Sequence, residues 1–213
     1  MTDNSANNKR IAINTILLYI RMLFTMVISL YTSRVILQVL GADDFGIYNV
    51  VGGVVVLFSF LTNAMTSSTQ RFLNYNFGLK NESKVSHIFN VSILTHFTIF
   101  LLVLLLSETV GLWFVMTQLN IPVGRETATM WVYQMSVVTT LIGIMVIPYR
   151  ASIIAAERMS IFAYVSILEV ALKLVVVLVL SYMSFDNLVM YSILLTLVAM
   201  LNFFIYQIEC RRM

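Results

Sequence analysis

Charge is what this sequence has least of. Asp, Glu, Lys and Arg make up 11% of the 213 residues while 60% are hydrophobic, and the mean hydropathy is +0.91. A water-soluble domain of this length carries about 25% charged residues, because a curved surface has to be solvated. That deficit excludes an ordinary soluble fold and a disordered chain. One cysteine, Cys210, cannot form an internal bridge, so a disulfide scaffold is excluded too, and two prolines exclude a collagen. Chemistry-bearing motifs are also missing. His87 and His96 are too far apart for a one-face metal pair and there is no His-Glu-x-x-His run, so neither a metal nor another cofactor is expected. No phosphate-binding Gly-rich loop and no nucleophile motif occur. The chain reads as a non-enzyme.

What is present is apolar sequence in long blocks. A helix crossing the ~30 Å hydrocarbon core needs about 20 apolar residues. Six such segments are predicted: 11–40, 45–69, 88–113, 127–147, 161–183 and 188–208. Runs such as Leu101 to Leu106 and Leu174 to Leu180 are apolar on every face, which excludes the alternating strands of a membrane barrel. The fold class is therefore all-α, a polytopic membrane protein formed as a single six-helix bundle over residues 1–213. Joining segments are too short for a soluble domain.

Net charge is +3, from 13 basic and 10 acidic residues. These cations form no basic face, so nucleic acid is not an expected partner. They sort by span boundary instead: Lys9 and Arg10, then Arg71, Lys80 and Lys84, then Arg150 and Arg158, then Arg211 and Arg212. The opposite loops carry Asp43, Asp44, Glu126 and Asp186, with Arg125 as their one clear basic residue. By the positive-inside rule both termini are expected in the cytoplasm and the chain in the cytoplasmic membrane. Residues 1–8 are polar and the run after them is too long for a signal-peptide core, so it is expected to stay uncleaved.

Polar residues inside the spans mark the candidate site. At ~100° per residue, Asn14, Arg21, Thr25 and Thr32 fall within ~40° of one another on the first span. An arginine near a span centre costs about 2.5–3.5 kcal/mol unless it faces protein or water. Arg21 is then either a structural or snorkelling side chain or an anion contact in a hydrated cavity. The second span ends in Ser59, Thr62, Asn63, Thr66, Ser67, Thr69 and Gln70, an arc of ~160° that suits either close helix packing or a cavity wall. On the fifth span Glu169 and Lys173 stand at i, i+4 in the favourable order, with Ser166 on the same face. They form either a structural ion pair or a site where Glu169 takes a proton or cation and Lys173 meets phosphate.

Particular words then carry a resemblance. Leu30-Tyr-Thr-Ser-Arg-Val-Ile-Leu-Gln-Val-Leu-Gly-Ala-Asp-Asp-Phe-Gly-Ile-Tyr-Asn-Val50 and Ser67-Ser-Thr-Gln-Arg-Phe72 resemble the opening of bacterial polysaccharide-biosynthesis membrane proteins. These are the Wzx-like oligosaccharide flippases of the MOP superfamily, related to MATE exporters and lipid II flippases. Pro148-Tyr-Arg-Ala-Ser-Ile-Ile-Ala-Ala-Glu-Arg-Met159 and Ile167-Leu-Glu-Val-Ala-Leu-Lys173 look like the same family. The resemblance implies movement of undecaprenyl-diphosphate-linked oligosaccharide across the cytoplasmic membrane by two six-helix lobes rocking around a cationic cavity. It matches Arg21 to that cavity, with Lys173 second. Asn14, Thr25, Asn63, Thr66, Gln70 and Glu169 complete the candidate set. Six helices correspond to the first lobe alone, so the expected partners are the lipid-linked oligosaccharide, membrane lipids, and a C-terminal lobe or a second copy. The competing reading is a non-transporting scaffold or the permease subunit of another transporter.

Overall fold

The computed structural model describes residues 2–57, 60–79, 81–182 and 185–212, with side chains from residue 12 onward except residues 60–64. Every regular element among them is helical: α1 Thr2–Leu57, α2 Phe60–Gly78, α3 Glu82–Leu106, α4 Leu112–Gln118, α5 Glu126–Ala155, α6 Met159–Leu180 and α7 Asn187–Arg211. A π-helical turn, Ser107–Gly111, joins α3 to α4. Five stretches are long and apolar enough to cross a membrane: Ala12–Leu57, Glu82–Gln118, Glu126–Ala155, Met159–Leu180 and Asn187–Arg211. The expected count was six. The difference arises because α1 runs through the first expected span into the second, broken only at Gly41, while hydroxyl- and amide-rich α2 is not among the five.

Each break and cap has a local cause. Gly41 sits at φ 78°, ψ 172°, a region essentially closed to residues with a Cβ, so the chain turns there between Leu40 and Ala42. The Asn81 side chain caps α3 by accepting from Lys84 N at 3.1 Å. Asp186 caps α7, its Oδ1 accepting from Leu188 N at 3.1 Å and Val189 N at 3.4 Å. Pro148 lies inside α5 and cannot donate to the carbonyl one turn back; the Ser152 hydroxyl donates to its carbonyl at 3.0 Å. At the π turn, Ser107 O accepts from the Leu112 N–H and also from Tyr133 Oη at 2.5 Å, which ties the turn to α5.

Helix α5 is the centre of the bundle, packed against α7, α3, α2 and α1, while α1 runs along α6 and α6 along α7. One core joins Val51 and Val55 of α1 to Val103, Val115, Val132, Tyr133 and Val137. Another joins Ile36 to Val176, Val177, Leu180 and Tyr191. Outward-facing side chains are large and apolar, for example Leu23, Val27, Leu30, Leu94 and Leu105, each more than half exposed. Such a surface suits lipid and not water.

One end of the bundle is pinned by a single cation. The Arg125 guanidinium donates to both carboxylate oxygens of Asp44, through Nε at 2.9 Å and through its second terminal nitrogen, and also pairs with Asp186. Three connections therefore meet: the turn after Gly41, the α4–α5 loop and the start of α7. The hydrogen bond to Asp44 raises the Arg125 pKa further above its ordinary value, against a smaller opposing effect of burial.

Candidate functional site

Helical spacing brings charge into the middle of the bundle. On α6, Phe162, Ser166, Glu169 and Lys173 recur at i, i+4, i+7 and i+11, so they share one face. That face meets Arg21 and Thr25 of α1, Thr139, Gly143 and Arg150 of α5, and Tyr191, Asn202 and Tyr206 of α7 around a cleft of about 530 Å³. Three cations, Arg21, Arg150 and Lys173, stand against one carboxylate, Glu169.

Their partnerships differ. Lys173 Nζ donates to Glu169 Oε1 at 2.6 Å, with side-chain exposures of 43% and 34%. An accessible i, i+4 pair is worth only a few tenths of a kcal/mol in water, so a competing anion can separate it. The Arg21 guanidinium lies 4.6 Å from the Phe162 ring centroid, and its Nε is buried without a hydrogen-bond partner. Stacking on an aromatic face supplies about 0.5–2 kcal/mol and leaves the guanidinium's N–H donors uncommitted. Among the described residues neither Arg21 nor Arg150 is in an ion pair. Thr25 Oγ1 donates back to Met22 O at 3.0 Å, which leaves its lone pairs available on the cleft side.

Of the residues expected to form the site, Arg21, Thr25, Glu169 and Lys173 come together here. Asn14 is half-buried on α1 and does not line the cleft, and Thr32 is buried lower on the same stripe with its hydroxyl donating to Ile28 O at 2.7 Å. Thr66 and Gln70 are half-buried on α2, away from the cleft. The side chain of Asn63 lies outside the described residues. Helix α2 instead meets α3 and α5: Ser92 Oγ donates to Thr69 Oγ1 at 3.2 Å beside the buried His96, whose Nδ1 lies 2.8 Å from Ser92 O, while Ser67 and Ser68 are exposed.

Sequence reasoning missed Thr139, Arg150, Asn202 and Tyr206. The apolar run ends at 147 and by itself leaves Arg150 in a loop, whereas α5 continues through Pro148 to Ala155. The signal was available: Thr139, Gly143 and Arg150 stand at i, i+4 and i+11 on α5, and Asn202 and Tyr206 at i, i+4 on α7. Among the described residues no group of three or more His, Cys, Asp or Glu is close enough to hold a metal. The cleft's lining sets three cations and one carboxylate beside neutral hydroxyls, an arrangement suited to an anion.

The fold and the cleft define an all-helical membrane protein with an electropositive interior. Comparison of the chain with family models, with curated proteins and with solved structures finds no match.

Proposed function

We infer that this chain moves an anionic, sugar-bearing lipid across the cytoplasmic membrane, as the N-terminal lobe of a Wzx-like flippase for undecaprenyl-diphosphate-linked oligosaccharide working by alternating access. One observation carries the reading: Arg21 and Arg150 line a cleft between α1, α5, α6 and α7, and among the described residues neither is in an ion pair. Two such cations inside apolar helices cost several kcal/mol, a cost that an incoming diphosphate would offset. Nearby hydroxyls suit sugar, and the apolar flanks suit a lipid tail. In this reading the Gly41 break divides α1 into two spans and α2 extends the second, which makes six crossings. The three connections joined by Arg125 then lie outside, and both termini are cytoplasmic.

Arg21→Ala tests it. A charge-assisted hydrogen bond to phosphate is worth about 1.5–3 kcal/mol, so glycan export by the full-length protein is expected to fall roughly tenfold or more. Membrane abundance is expected to stay within about twofold, since only a stacking contact worth ~1 kcal/mol is lost. Normal export at normal abundance removes Arg21 from the substrate path. The mutual pairing of Glu169 and Lys173 favours the second reading, a non-transporting scaffold or a permease subunit in which these charges only hold α6 in the bundle. An equal fall of export and abundance supports that one.

A further inference from the structure

A second cleft of about 380 Å³ adjoins the charged one, and the two share Tyr48, Thr139 and Leu195 as a common border. Its volume lies within the ~300–1,000 Å³ typical of small-ligand pockets. Its lining differs in kind. No charged side chain contributes; Asn49, Ser136, Thr140 and Ser192 supply the polarity, and Gly52 and Gly53 keep the α1 wall open.

Those polar groups hold unspent hydrogen-bonding capacity. Ser136 and Thr140 hydroxyls have no hydrogen bond among the described residues. Ser192 Oγ donates to Val189 O at 2.7 Å and keeps its acceptor lone pairs, and Asn49 Nδ2 donates to Phe45 O at 2.7 Å and keeps its carbonyl. Backbone carbonyls therefore take one donor each, and acceptors and rotatable hydroxyls remain for a ligand rich in both. That describes uncharged sugar hydroxyls. A carboxylate or phosphate placed here would meet no cation, and burying it unpaired is costly. Tyr48, with its ring edge-on to Tyr191 at 4.9 Å between centroids, gives the border an aromatic face for the apolar side of a sugar ring.

We propose that this neutral cleft is the subsite for the uncharged sugar residues of a ligand whose anionic group occupies the charged cleft. The proposal rests on the anion-binding reading of that charged cleft and assigns the sugar end to α1, α5 and α7. It also sets a selectivity: neutral sugars are accepted at this position and uronic acids are disfavoured.

Binding to the purified full chain tests it, with three probes: a short polyprenyl diphosphate alone, the same lipid carrying a neutral disaccharide, and the same lipid carrying a disaccharide with one uronic acid. The neutral disaccharide is expected to tighten binding by about fivefold over the bare lipid, the size of one or two net hydrogen bonds. The uronic acid is expected to tighten it less. Ser136→Ala combined with Thr140→Val removes both hydroxyls with little change of volume, and Gly53→Leu fills the cleft, where a Cβ meets nothing within 4 Å. Each is expected to erase the increment and leave bare-lipid binding unchanged. If the bare lipid binds and the disaccharide adds nothing, or the increment survives both variants, the subsite proposal is overturned while the charged cleft stands. Loss of bare-lipid binding in the hydroxyl variant assigns those groups to the fold and also overturns it. Failure of all three probes on the unaltered chain overturns the anion-binding reading, and the subsite with it.

Discussion

Arg125 illustrates how one side chain acts at several places. In sequence it is the lone basic residue among acidic connections, which identifies an attractive neighbourhood but no partner. In the fold it bridges Asp44 and Asp186, 81 and 61 residues away along the chain. Asp44 is 8% exposed, so removing its cation leaves a nearly buried carboxylate unpaired. Breaking a fully buried pair costs about 3–5 kcal/mol; with Arg125 one-third exposed, Arg125→Ala is expected to cost about 2–3 kcal/mol. Thermal unfolding in detergent measures this. Combining Arg125→Ala with Asp44→Ala should cost clearly less than the two single losses added, and strict additivity would show that the pair does not couple. The pH behaviour follows from the sign of the shift. A raised arginine pKa means its contribution is complete below the unfolded-state value and is lost only as pH rises through the still higher folded one. Between pH 6 and 9 this group should therefore leave the unfolding midpoint flat.

At the scale of elements, backbone conformation at single positions decides where helices end and which faces meet. Gly41 is the break in α1, and seven residues beyond it Tyr48 stands at the border of both clefts. A Cβ added there meets nothing within 4 Å, so the penalty of Gly41→Ala is purely conformational, about 1–3 kcal/mol of stability for a non-glycine residue in that region. Gly46, helical and equally open, serves as the control: Gly46→Ala should be neutral or stabilising by up to ~1 kcal/mol, because alanine is the better helix former. Equal losses at the two positions would show that the turn at Gly41 carries no special strain. The same scale explains the errors of the span reading. Apolar run length ended the fourth span at 147, ahead of Pro148 and Arg150, yet a proline removes one hydrogen bond without ending a helix that its neighbours hold in place.

For the whole molecule, sidedness is the property most directly open to measurement. Val123 is 99% exposed in the α4–α5 loop at the end that Arg125 pins, and Lys84 is exposed at the start of α3 toward the other end. In a Cys210→Ser background, Val123→Cys in intact cells is expected to react with a membrane-impermeant maleimide, and Lys84→Cys to react only after lysis. The reverse pattern would invert the topology, and labelling of both in intact cells would break it. Neither substitution replaces a side chain of the Arg125 cluster, and the Val123 side chain is almost fully exposed.

By itself the sequence determined that this chain is helical and suited to a membrane, because blocks of about 20 residues with runs apolar on every face exclude barrel strands and leave the helix to satisfy a backbone in lipid. It also determined which residues are anomalous there, since Arg21, Glu169 and Lys173 stand out against apolar neighbours at any orientation. The tertiary structure alone decided which anomalies share a space. Arg21 and Lys173 meet because α1 lies along α6, and Arg150 joins them because α5 outlasts its apolar run. The polar end of α2, as conspicuous in sequence as Arg21, meets α3 at Thr69 and leaves Ser67 and Ser68 exposed. Periodicity specifies the face a residue occupies, whereas the neighbour that face meets depends on contacts between helices distant in the chain, and those are not encoded in the spacing of any one of them.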